Sequence, residues 1–173
     1  DRIIAPSIYA ATPIMERYGL SDERVTIIPR SIDTARYDPA GVATERVAAL
    51  RESWKIEPGD RVVVVPGRVA PWNGQMTMID AARLLVGGGD RNVIFVFVGD
   101  DRGQSRYARS LRRRAHMHGI DTLCRFTGPC PDMPAALVAA DVVVTTALQP
   151  PLSGRGLIEA QALGRPATLD DIP

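Results

Sequence analysis

Three features predict an α/β fold built on a doubly wound parallel sheet for this 173-residue chain. Short runs of Val, Ile and Phe recur along it, and helical patterns separate several of them. The runs are continuously apolar, as in Val62-Val63-Val64-Val65, which marks strands buried on both faces. The length suits one domain of ordinary size with some extra at an end.

Taken in order, Ile3-Ile4-Ala5 reads as a short strand, and Ser7 begins a helix that runs to Tyr18 and ends at Gly19. A strand over Val25–Ile28 closes at Pro29, and Asp38-Pro39-Ala40-Gly41 reads as a linker. A helix over Glu45–Trp54 leads through the turn Glu57-Pro58-Gly59-Asp60 into the strand Val62–Val65. The next helix, Gln75–Leu85, places Met76, Ile79, Ala82, Leu84 and Leu85 at roughly helical spacing and stops at Gly87-Gly88-Gly89. After the strand Val93–Val98, the helix Ser105–Met117 carries Tyr107, Leu111 and Ala115 on one side. Arg109, Arg112, Arg113 and Arg114 spread round the other, as a solvated face. Arg125–Thr127 is a strand, Met133–Ala139 a short helix, Val142–Val144 a strand and Leu157–Leu163 the last helix before Gly164. The expected strand order is 3-2-1-4-5.

Composition narrows the partners. The formal charge is +1, from 21 Lys+Arg against 20 Asp+Glu, so no global field draws nucleic acid. Lys55 is the only lysine, which leaves arginine for bidentate phosphate or carboxylate contacts. Cys124 and Cys130 are too few for a disulfide framework and lack metal-site spacing, and are read as reduced and semi-buried. With no leader pattern and no apolar run of membrane-spanning length, a cytoplasmic location is expected, including the inner face of a membrane.

Three strand ends carry candidate chemistry, because ligands of open parallel sheets bind at the carboxyl ends of strands. They are Pro66-Gly67-Arg68-Val69, Gly99-Asp100-Asp101 and Thr145-Thr146-Ala147. The last is followed by Pro150-Pro151-Leu152-Ser153-Gly154-Arg155-Gly156, which opens a helix and so offers free amides to an anion. A glycine-softened loop without a ligand fits that spacing equally well. Glu159, one turn further, either accepts from a ribose diol or pairs with Arg155 at i, i+4.

Seven pieces then fall in one order: Ile27-Ile28-Pro29-Arg30-Ser31-Ile32-Asp33, Gly67-Arg68 with Gly74 beyond, Val98-Gly99-Asp100, Phe126-Thr127-Gly128, Asp132-Met133-Pro134, Ala140-Asp141-Val142 and Ile158-Glu159-Ala160-Gln161-Ala162-Leu163-Gly164-Arg165-Pro166. In this the chain resembles family 4 of the retaining glycosyltransferases. The resemblance implies a GT-B fold, two Rossmann-like domains facing a cleft. Residues 1–38 would be the end of the N-terminal domain and the hinge, and residues 39–173 the C-terminal nucleotide-sugar-binding domain, cut short at its end. Such a fragment is expected to be inactive alone.

The resemblance further implies transfer of a sugar, with retention, from a nucleotide-diphosphate donor to a glycan or lipid-linked acceptor, as in polysaccharide or lipopolysaccharide biosynthesis. It implies no metal and no cofactor, and assigns any peripheral membrane contact to the missing N-terminal domain. Carried over by position, Arg68 matches the arginine on the donor diphosphate and Glu159 the glutamate on the ribose hydroxyls. Two positions depart from the family: Asn73 stands where a lysine is usual, and Pro151 where a glutamate touches the donor sugar. Asparagine can donate to phosphate without neutralising it, and proline has neither carboxylate nor N–H. The candidate catalytic residues are thus Arg68 and Asn73. The donor-binding set is Gly67, Arg68, Gly99, Asp100, Pro129, Met133, Ser153, Gly154, Arg155 and Glu159. A catalytically impaired domain that binds nucleotide or glycan is the alternative. A nicotinamide-dependent oxidoreductase is disfavoured because no G-x-G-x-x-G follows Val62–Val65.

Overall fold

A computed structural model describes residues 2–147 and 155–169. A small unit comes first. Strand β1 (Ile3–Ala5) pairs in parallel with β2 (Val25–Ile27), and helix α1 (Ile8–Tyr18) connects them. The Ser7 side chain accepts from Ala10 N at 3.2 Å to cap α1, and Gly19 ends it in the left-handed conformation at φ 59°. Ile4, Ile8, Tyr9 and Tyr18 in this unit are exposed.

The second sheet has five parallel strands in the spatial order β5-β4-β3-β6-β7. These are β3 (Arg61–Pro66), β4 (Val93–Val98), β5 (Cys124–Gly128), β6 (Val142–Thr145) and β7 (Ala167–Leu169). Renumbered within the sheet, the order is 3-2-1-4-5, as the sequence predicts.

Period-two alternation sorts the side chains into two cores. Val62, Val64, Ile94, Val96, Val98 and Val143 pack on one face with residues of α2 (Thr44–Ser53), α5 (Met133–Val138) and α6 (Arg155–Ala162). Val65, Val93, Phe95 and Phe97 pack on the other with α3 (Gln75–Gly87) and α4 (Ser105–Met117). Phe95 and Phe97 are fully enclosed, and truncating either to alanine should cost about 3–5 kcal/mol.

Two expectations need correction. Leu84 and Leu85 do not belong to the buried face of α3; both are exposed, while Gln75, Met78, Ile79 and Ala82 are buried. They lie off the stripe of Met78, Ile79, Ala82 and Val86, which packs against the sheet to the end of the helix. The stretch 38–41 is no open linker: Pro39–Gly41 form a 3-10 turn, with the Asp38 carboxylate accepting from Ala40 N at 2.9 Å. At the opposite end of the sheet from the carboxyl ends, the turn between α2 and β3 begins at Lys55, held at φ 54°. Its carbonyl accepts from the Arg125 guanidinium at 3.3 Å, and Trp54 O accepts from Arg125 Nε at 2.6 Å.

Candidate functional site

A cleft of about 510 Å³ opens at the carboxyl ends of β3 and β6. Val65, Pro66 and Gly67 line it from β3 and the turn beyond, and Thr145, Thr146 and Ala147 from β6. The first turns of α6 bring Arg155, Gly156 and Glu159, α5 brings Met133, and the segment before α2 brings Arg36 and Tyr37.

Glu159 is the buried charge of this cleft, with its side chain 8% exposed. Its Oε1 accepts from Arg155 Nε at 2.7 Å, the i, i+4 pair allowed by the sequence. The Tyr37 hydroxyl faces the same carboxylate. Burial first, then the hydrogen-bonding and charge of Glu159, raise the tyrosine pKa above its ordinary value. Thr145 Oγ1 is buried without a hydrogen-bond partner among the described residues, so this wall keeps a polar atom in reserve.

The loop after β3 spends its polar groups differently. Asn73 lines the cleft, but its Nδ2 donates to the Arg68 carbonyl at 2.7 Å, and buried Gln75 Nε2 donates to the same oxygen at 2.8 Å. Thr146 Oγ1 donates to Asn73 O at 3.1 Å. Gly74 is left-handed at φ 63°, and a Cβ there would lie 1.6 Å from Thr146 O, so this turn tolerates only glycine.

Of the residues the sequence nominated, Gly67, Asn73, Met133, Arg155 and Glu159 meet in the cleft. Arg68 does not join its lining. It is exposed, and its guanidinium charge helps lower the pKa of Asp100, behind the stronger effect of Arg102. Gly99 also lies outside, in a neighbouring hollow with Val69, Phe97 and Arg112. A Cβ on Gly99 would meet Gly67 O at 1.8 Å, so what approaches this glycine closely is the chain's own backbone. The Asp100 carboxylate accepts from Arg102 N at 2.8 Å and from Arg102 Nε. Pro129 is exposed between β5 and α5. Ser153 and Gly154, with Pro151, lie outside the described residues.

The strand end Thr145-Thr146-Ala147 lines the cleft as the sequence suggests, but sequence reasoning missed Arg36 and Tyr37. The signal for them was Asp33: its Oδ1 accepts from the Ala35 and Arg36 amides at 3.0 and 3.2 Å, a local turn that a Ser-Ile-Asp-Thr run permits. Burial pushes the Cys124 thiol up to about 12, and Cys130 is half-buried; both are free, as the sequence suggests. Among the described residues no helix is long and apolar enough to cross a membrane, and no group of three metal-binding side chains gathers.

Comparison with known proteins bears on this geometry. The family model described as glycosyl transferases group 1 matches residues 60–172. Among curated proteins, the chain is 30% identical to a D-inositol 3-phosphate glycosyltransferase of Nocardia farcinica, over 99% of this chain and 38% of that protein. It is 27% identical to a mannosylfructose-phosphate synthase of Agrobacterium fabrum, over 98% of this chain and 37% of that protein. The chain thus spans under two-fifths of the length of these relatives. Among solved structures, a glycosyltransferase from Rickettsia africae superposes with a TM-score of 0.92 at 19% identity, over 99% of this chain and 45% of that one. Anabaena Alr3699/HepE in complex with UDP-glucose superposes at 0.85 with 26% identity, over 99% of this chain and 45% of that one.

Proposed function

The chain belongs to the group 1 glycosyl transferases, with the Rossmann-like sheet of GT-B enzymes, and on that footing we propose that it is the donor-binding part of a retaining glycosyltransferase. The full enzyme takes a sugar from a nucleotide-diphosphate donor and passes it to a glycan or lipid-linked acceptor in the cytoplasm, including at the inner face of a membrane. The observation that carries this reading is Glu159, a buried carboxylate on the second turn of α6, inside a cleft at the carboxyl ends of parallel strands. The UDP-glucose complex of the similar Anabaena protein supports a nucleotide sugar as the ligand class.

In this reading Glu159 accepts from the ribose hydroxyls. Arg155, at the mouth, and the free amides of the first turn of α6 meet the diphosphate. Arg68 reaches the diphosphate only if its exposed side chain swings toward the cleft. During transfer the bond from the anomeric carbon to the diphosphate oxygen breaks and a bond to an acceptor hydroxyl forms on the same face. Negative charge then builds on the leaving diphosphate, where residues 67–75 approach. Residues 1–38 fit the end of a preceding domain: the exposed Ile4, Ile8, Tyr9 and Tyr18 are apolar surface that such a domain would cover.

A second reading, a domain that binds nucleotide with impaired turnover, is favoured by the Asn73 amide. It carries no charge and is already bonded to Arg68 O. One experiment addresses both. In a thermal-shift screen of UDP, GDP, ADP and their sugars, a ligand at 100 Kd stabilises by about 2.7 kcal/mol. No shift with any of them overturns nucleotide binding. Donor hydrolysis or transfer by the full-length protein then separates the two readings, and Asn73→Lys should raise discrimination between the sugar nucleotide and the bare diphosphate.

A further inference from the structure

The segment joining the two-stranded unit to the larger sheet is built into the cleft. The Asp33 carboxylate holds the Ala35 and Arg36 amides, and Tyr37 N donates to Asp33 O at 3.0 Å, so residues 33–37 form one turn fixed by its own side chain. That turn delivers Tyr37 into the interior, 4% exposed, while its neighbours Arg36 and Asp38 stay at the surface. The ring packs in the core on the α2, α5 and α6 face, and the hydroxyl end reaches the cleft wall beside Glu159. A phenylalanine would fill the same core volume, so packing alone does not account for the hydroxyl.

The two groups around Glu159 differ in how firmly they are held. Arg155, 58% exposed, sits at the mouth and can turn toward an incoming phosphate. Tyr37 is anchored by its ring and cannot leave. A tyrosine hydroxyl is protonated at neutral pH, and burial pushes its pKa further up, so it can donate to the carboxylate that lines the same cleft.

Resting on the reading of Glu159 as the ribose-binding carboxylate, we propose that Tyr37 is a specificity-determining positioning residue. Its hydroxyl holds one oxygen of Glu159, so that the other accepts from a ribose diol. Selection for ribonucleotides thereby depends on the joining segment as well as on α6.

Tyr37→Phe tests this, because it keeps the ring and removes only the hydroxyl. Calorimetry with UDP, GDP and ADP, and with the 2′,3′-dideoxy form of whichever binds, measures the ribose preference. The expected result is that Tyr37→Phe cuts this preference by about tenfold while affinity for the dideoxy form moves much less. Glu159→Gln should cut it too, and the double variant should lose less than the sum of the two. If the wild type prefers ribose, Glu159→Gln removes that preference and Tyr37→Phe retains it with only a lower melting temperature, Tyr37 is a core residue and the proposal is overturned while the reading of the site stands. If the wild type binds none of the three nucleotides, or its preference ignores Glu159→Gln, the reading itself fails and takes the proposal with it.

Discussion

Two carboxylates in this chain each sit between an arginine and a second side chain, in very different surroundings. Asp80, on α3, accepts from Arg114 Nε at 2.8 Å and Nη2 at 3.0 Å, and His118 Nε2 lies 3.0 Å away. Its side chain is 40% exposed, so water completes its hydrogen bonding. Glu159 is bonded by Arg155 and faces Tyr37, but its side chain is 8% exposed and lines the cleft. Asp80 ties α3 to α4. Glu159 has lone pairs that bulk water cannot easily satisfy, in a cavity large enough for a ligand. The difference lies in where the remaining hydrogen bonds must come from, and it separates a surface staple from a binding group.

The largest expected effect splits the pair outright. Glu159→Ala should weaken nucleotide binding by at least about tenfold, since a hydrogen bond to a charged group contributes roughly 1.5–3 kcal/mol, whereas Asp80→Ala should leave affinity untouched. Calorimetry on both variants decides it, and equal losses would erase the distinction. A middle-sized effect concerns the arginines. Arg155→Ala should reduce diphosphate affinity more than nucleoside affinity. It should also destabilise the empty protein by about 1 kcal/mol, because buried Glu159 loses the guanidinium that bonds it. Arg114→Ala should cost less than that, with water replacing the guanidinium, as denaturant midpoints would reveal.

The smallest effect is a matter of pH. Hydrogen bonds from Arg114, then His118, hold the Asp80 pKa below its usual value. Its stabilisation is therefore complete above the unfolded value of about 3.9 and is lost as pH falls through the folded one. Asp80→Asn should flatten part of the acid limb of a melting-temperature curve and change nothing near neutrality.

The sheet was legible because its signals were local. Val93–Val98 and Ser105–Met117 have the bounds the sequence predicts, since one is an unbroken apolar run and the other a clean helical stripe. The face of α3 was harder to read: buried Gln75 looks polar and exposed Leu84 and Leu85 look apolar, while Val86 beyond them packs on the core, so composition misleads about which side of the helix faces the sheet. At the site, Glu159 could be found from its place one turn after a glycine-rich loop. Tyr37 could not, because Glu159 is remote in sequence and a lone aromatic between Arg36 and Asp38 carries no periodic signal. Gly99 looked like a ligand glycine for a related reason: a tight approach between two loops leaves the same mark in sequence as a tight approach to a ligand.

The turn at Lys55 has a practical consequence. It carries the chain's only lysine, and that residue is exposed at the end of the sheet opposite the cleft. Its carbonyl is pinned by Arg125 while its side chain is open to solvent. Within residues 1–173 amine-directed coupling therefore addresses a single side chain, and a dye or surface attached there leaves the cleft chemically unaltered and facing away from the point of attachment.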